Sequence, residues 1–369
     1  MKNIKRLLAA FLVLVVVFSF AGCHKKDEIA VTIGDIEFTS AYYMCALINA
    51  DSEAKTKVSE NLSDEESTEE IDYYSQKIDG KGFVTWVEDA AIDYLKKIAA
   101  YKTLCKDNEL EIDKEELANI ESYASYYWSS YGYSAYFEPN GVGFATYTQY
   151  MKDSYYSELY FEHLYGAEGE KAIAADEVSK KLYDNFLIAN VLEASIDSEM
   201  TDTEKTELKD KMNTYVTELK DGKKTFEQVY NDYNEVEEET ETEETTDSTD
   251  EETAEEEVSE PLDKYASILG AEDTGYDSDH YETAKAMATG EIKLVELEDE
   301  AGYVIIVKQD IKADPYYLEN LDMTIRHLIA DEDYEKIIDD FAGKLEVDIN
   351  DYAVKQFKVK KIKEPEYSY

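Results

Sequence analysis

Few residues in this sequence have the type and spacing for chemistry, and those few lie far apart. Its four histidines, His24, His163, His280 and His327, fall in unrelated stretches. Each reads as a surface or helix-face residue rather than a ligand or base. Cys45 and Cys105 sit in apolar-periodic helical contexts, YYMCALI and YKTLCK. That pattern reads as two buried free thiols, with a single disulfide across two helices as the alternative. There is no CxxC and no Cys/His cluster, so no metal site is expected. No Ser/His/Asp set and no phosphate-binding glycine loop can be argued either, so no cofactor and no catalytic residue is assigned from motifs. The run from Glu235 to Glu260 is rich in carboxylates but lacks the alternating ligand loop and central glycine of an EF-hand. With no basic residue and almost nothing apolar, it reads as a solvated insertion that cannot fold on its own.

The other chemistry on offer is contact. Ser122 to Tyr165 is densely aromatic, and Tyr126, Tyr127, Trp128, Tyr131 and Phe137 form its first cluster. Rigid amphipathic rings touch many sequences at low entropic cost, which suits a surface that binds unfolded polypeptides. The same rings could fill a core between helices and cover its rim. Tyrosines at every second or third place cannot all be buried, so both roles are expected within this stretch.

The net charge of −48 excludes nucleic acid as a partner, because binding phosphate backbones needs a basic footprint. It also keeps the chain off anionic membranes unless something anchors it. At the start, Lys2, Lys5 and Arg6 precede the apolar run Leu7 to Phe20, then Ala21, Gly22 and Cys23. The run falls short of the roughly 20 residues that span a bilayer and fits a signal-peptide core. Phe-Ala-Gly-Cys resembles a bacterial lipobox. That resemblance implies cleavage before Cys23, lipid attachment to it, and a place on the extracytoplasmic face of the cell membrane. An ordinary cleaved secretion signal is the alternative.

These residues must be positioned by the elements around them. Val31 and Ile33, a Gly34-Asp35 turn, then Ile36 and Phe38 predict a strand pair, with Thr39 as N-cap of a helix. Residues 51–82 lose periodicity and collect acids, which predicts a helix end and a loop. Val84, Val87, Ala91, Leu95 and Ile98 recur at helical spacing, and Asp113 with Glu116 caps the next helix. Residues 147–165 read as helix. Asp176 to Asp197 changes from a polar helix pattern to an apolar, strand-like run from Phe186. Residues 203–219 read as helix, and Gly302 to Val307 as a buried strand. Residues 317–345 read as one amphipathic helix, followed by a strand-like tail through Val347, Ile349, Tyr352 and Val354.

Several of these stretches together resemble PrsA-type foldase lipoproteins. In that family a helix ending in Tyr leads into a strand with histidine before Ile-Leu; here Asn190 precedes Val191-Leu192. Gly222 followed by Phe226, then Gly290-Glu291-Ile292, then Gly302-Tyr303-Val304-Ile305-Ile306 continue the parvulin pattern, with Val304 at its second histidine. The resemblance implies an α+β fold: a mainly helical SurA-like chaperone domain with an inserted, small parvulin-like α/β domain. It implies boundaries of 1–23 for the signal peptide and 24–175 for the helical domain. The parvulin-like part would be 176–312 with the 235–260 insertion, and 313–369 would return to pack on the N-terminal helices. The implied function is a membrane-anchored foldase for newly secreted polypeptides. Both histidine positions are replaced (Asn190, Val304), so isomerase activity is expected to be weak or absent. Met287 and Tyr303 remain candidates for a proline pocket, or simply core. An active isomerase and a lipoprotein serving as a dedicated binding module are the alternatives.

Overall fold

In a computed structural model, the chain divides into two units, Met1–Lys171 with Glu332–Tyr369, and Ala172–Asp331. The structure describes residues 28–60, 71–235, 261–297 and 301–364; residues 1–27, on which the expected signal peptide and Cys23 fall, and the acidic residues 236–260 lie outside them. The fold is α+β and mainly helical.

The first unit opens with antiparallel strands Ile29–Ile33 and Ile36–Thr39, turned by Gly34 at φ +57°. Val347–Ile349 pairs antiparallel with the other edge of the first strand, placing Ile349 opposite Val31. The helices Ser40–Glu60, Phe83–Asp107, Lys114–Ser129 and Phe144–Tyr165 follow. The second of them buries Val87, Ala91, Leu95 and Ile98 of the expected stripe, while at its start Phe83 is the buried residue and Val84 is half-buried. Asp113 caps the third by accepting from the Glu116 amide at 2.8 Å. Cys45 and Cys105 are buried free thiols, and burial pushes the Cys105 thiol up to about 12.

Three expected boundaries differ. The first helix continues to Glu60 instead of ending near residue 51, because Ala54 and Val58 are buried and Lys55 pairs with Asp51 at 2.6 Å. The C-terminal helix is two pieces, Pro315–Asn320 and Asp322–Ala342, with a break at Leu321. After Val347–Ile349 the tail turns helical at Asp351–Val354, since the Asn350 side chain accepts from the Tyr352 and Ala353 amides. Within the first unit, Tyr334 packs against Phe161 and donates its hydroxyl to the Ser157 carbonyl at 2.6 Å. Tyr165 donates to Asp333 at 2.6 Å.

The second unit holds a four-stranded antiparallel sheet in the order Ala266–Gly270, Phe186–Ser195, Gly302–Lys308, Ile292–Glu296. Both faces of its central strands are covered, which is why they read as continuous apolar runs. On one face Leu192, Ala194, Tyr303 and Ile305 pack against Met212, Tyr215 and Val229 of helices Asp202–Lys220 and Phe226–Asn234. On the other, Leu187, Ala189, Val304 and Ile306 pack against Tyr281, Ala284 and Met287 at the short helix Tyr281–Lys285. Capping boxes, Thr201 with Glu204 and Thr225 with Gln228, start the two longer helices. This unit runs past 312 to 331. Arg326 is buried there, donating to the Ile173 carbonyl at 3.0 Å and to Asp322 at 2.6 and 3.1 Å.

Candidate functional site

The geometry of the sheet decides what Asn190 and Val304 can do. In an antiparallel pair, residues directly opposite share a face and the next residue along points the other way. Asn190 stands opposite Val307, and Val304 opposite Glu193. Asn190 therefore shares the face of Leu192 and Ile305, while Val304 lies on the other, among Leu187, Ala189 and Ile306. The two positions do not face one another. Met287 and Tyr303 are also parted, since Met287 packs with Val304 and Tyr303 with the two longer helices. Met287 and Tyr303 therefore do not line a common pocket, and each is buried in the core of its own face.

Asn190 has a structural task on its own face. It is fully buried, donates to Asp263 Oδ2 at 2.8 Å and accepts from Gln309 Nε2. Asp263 Oδ1 in turn accepts from the Tyr265 amide at 2.9 Å, shaping the entry to the edge strand. Asn190 thus fastens the start of one neighbouring strand and the exit of the other. Asn190→Ala should lower the stability of the sheet unit by about 1–3 kcal/mol, because it strands two polar partners. Urea denaturation followed by circular dichroism will read this; an unchanged midpoint would show that the clamp is dispensable.

On the face of Val304 the polar group is one the sequence did not suggest. His280 is buried, 7% exposed, and its Nε2 lies 2.5 Å from Oε1 of Glu193, the residue directly opposite Val304. It is not the surface or helix-face residue expected. A carboxylate within an apolar strand run was the available signal, but its partner is 87 residues away in sequence. His327 is helix-borne as expected, 2.6 Å from Asp331 Oδ1.

The aromatic stretch divides sharply. Tyr123, Tyr126 and Tyr131 are 60%, 53% and 59% exposed, and Tyr127 is half-buried beside them. Tyr131 contacts Tyr126 and Tyr127 at ring separations of 5.4 and 5.2 Å. Phe137 is buried, and Trp128 packs on it and on Tyr147, at 6.3 and 5.4 Å. Phe137 therefore belongs to the core, and half-buried Trp128 is packed down against it rather than standing in the open surface. Tyr123, outside the expected set, replaces them there. The reason is helical phase: three residues separate Tyr123 from Tyr126, while Trp128 falls toward the neighbouring helix.

Among the described residues, no helix is long and apolar enough to cross a membrane. No three His, Cys, Asp or Glu side chains among them converge as a metal site.

No family model matches the chain, and no curated protein matches it. Solved structures that it resembles include PrsA foldase proteins. That of Lactococcus lactis is 12% identical over 90% of this chain and 99% of its own, with a TM-score of 0.40. Foldase protein PrsA of Streptococcus pneumoniae is 13% identical, covering 69% and 82%, with a TM-score of 0.38. PrsA of Bacillus subtilis is 16% identical, covering 76% and 96%, with a TM-score of 0.31. Superpositions this distant leave the functional reading to the chain's own residues.

Proposed function

We propose that this chain is an extracytoplasmic foldase that holds newly secreted polypeptides, tethered to the cell membrane through lipid on Cys23. Its sheet unit keeps a parvulin-like shell with little or no isomerase activity. The observation that carries the reading is the solvent-facing tyrosine surface of the helical unit, Tyr123, Tyr126 and Tyr131. Such rings bind varied sequences without a matched pocket. The weak-isomerase part rests on chemistry at the sheet. An X-Pro bond needs its partial double bond twisted, and Val304 has no polar atom with which to help. The polar atoms of Asn190 are engaged on the opposite face.

The test is suppression of aggregation of several unrelated unfolded proteins by the full chain without its leader. Tyr123→Ser/Tyr126→Ser/Tyr131→Ser should lose most of that suppression while its circular dichroism stays unchanged. If the wild type suppresses none, the reading of a dedicated binding module replaces this one. The pairing of buried His280 with the half-exposed Glu193 beside Val304 favours a second reading, residual isomerase activity on that face. A protease-coupled isomerisation assay separates them. A rate near the uncatalysed one supports the inactive shell; a parvulin-like rate, lost in His280→Ala, supports the second reading.

A further inference from the structure

The helical unit carries a groove of about 540 Å³ beside the exposed tyrosines, between helices Lys114–Ser129 and Phe144–Tyr165. One wall is the stripe Glu116, Ile120, Tyr123 and Tyr127, successive turns of a single helix face. The other wall includes Met151, Tyr155 and Glu158. The floor is therefore apolar and aromatic, and the size is that of small-ligand sites, about 300–1,000 Å³. The groove is open to solvent along one side, which suits an extended chain better than a closed-in molecule.

Its rim is acidic. Glu116 and Glu158 line it, and Glu162 and Asp113 lie within electrostatic reach of Tyr155. Burial first, and then these four carboxylates, push the Tyr155 hydroxyl up to about 12. Lys152, a cation one turn away, is held by Glu121 at 2.5 Å. Carboxylates beside tyrosine faces make a poor seat for an acidic segment. They make a good one for a cation on an apolar chain, through ion pairing and cation–π attraction.

We infer that this groove binds extended polypeptide segments in which apolar side chains alternate with lysine or arginine. The inference deepens the foldase reading, from which it takes polypeptide clients, by naming the class of segment recognised. Apolar side chains sit on Ile120 and Met151, and the cationic groups meet Glu116, Glu158 and the tyrosine rings.

The experiment titrates the full chain without its leader into labelled peptides of equal length at about 0.15 M salt, where charges more than about 8 Å from the groove are largely screened. One alternates lysine with leucine, one glutamate with leucine, and one lysine with serine. The lysine–leucine peptide should bind about tenfold more tightly than the glutamate–leucine peptide, from two ion pairs and ring contacts of surface strength. It should also outbind lysine–serine, which has no apolar part. Glu116→Gln/Glu158→Gln should erase the charge preference and Glu116→Lys/Glu158→Lys should invert it, with the tyrosine surface untouched. Equal affinity for the two leucine peptides, or a preference surviving the Gln variant, overturns the inference. Aggregation suppression without the charge preference would leave the foldase reading standing and remove the groove assignment. The preference without suppression would keep the groove and remove the foldase reading.

Discussion

Lys102→Met is expected to destabilise the helical unit by about 2–4 kcal/mol at neutral pH, because it abandons a buried carboxylate. Asp153 is 2% exposed, and its Oδ1 is 2.8 Å from Lys102 Nζ and 2.9 Å from Gln149 Nε2. Burial, and secondarily the Asp153 charge, raises the pKa of Tyr42 beside it, so that hydroxyl stays protonated. The expected loss lies below that of a fully enclosed pair because the Lys102 side chain is 25% exposed and water shares its charge. The double variant Lys102→Met/Asp153→Leu should be more stable than Lys102→Met alone, since replacing both charges leaves none unpaired. The two tryptophans, Trp86 and Trp128, both belong to the helical unit, so urea denaturation by fluorescence reads that unit alone. A double variant no more stable than the single one would mean that packing, not charge, governs the site.

Phe161→Ala is expected to cost about 3–5 kcal/mol, the range for emptying an aromatic site in a closed core. Phe161 is fully buried, with ring separations of 5.1 Å to both Tyr165 and Tyr334, the latter edge-on at 80°. Tyr334 comes from the returning C-terminal helix, so this contact seals that helix onto Phe144–Tyr165. Tyr334→Phe makes the control. It removes only the hydroxyl bond to the Ser157 carbonyl and should cost about 1 kcal/mol. If Phe161→Ala costs no more than Tyr334→Phe, the seal is held elsewhere. The groove proposed above shares the Phe144–Tyr165 helix, so a rigid seat for that helix also keeps the binding face in shape.

Much of the fold was legible because its signals are local. The stripe Val87 to Ile98, the cap at Asp113, the helix-to-strand change before Phe186 and the apolar run after Gly302 each depend on neighbours a few residues away. The boundaries that slipped did so where a distant partner extended or cut an element. Ala54 and Val58 carried the first helix onward by burial, and Asn350 bent the tail into a turn.

By itself, the sequence determined the mixed helical and sheet character, the acidic net charge, and the place of Asn190 and Val304 within apolar strand runs. Only the tertiary structure decided which residues meet. Strand alternation places every residue on one of two faces, but the register against the partner strand says which residues share a face, and a slip of one residue reverses the answer. Register is set by hydrogen bonds between chain segments more than a hundred residues apart, here Asn190 opposite Val307 and Glu193 opposite Val304. That pairing put Asn190 and Val304 on opposite sides of the sheet. It also brought Glu193 to the side where it meets buried His280.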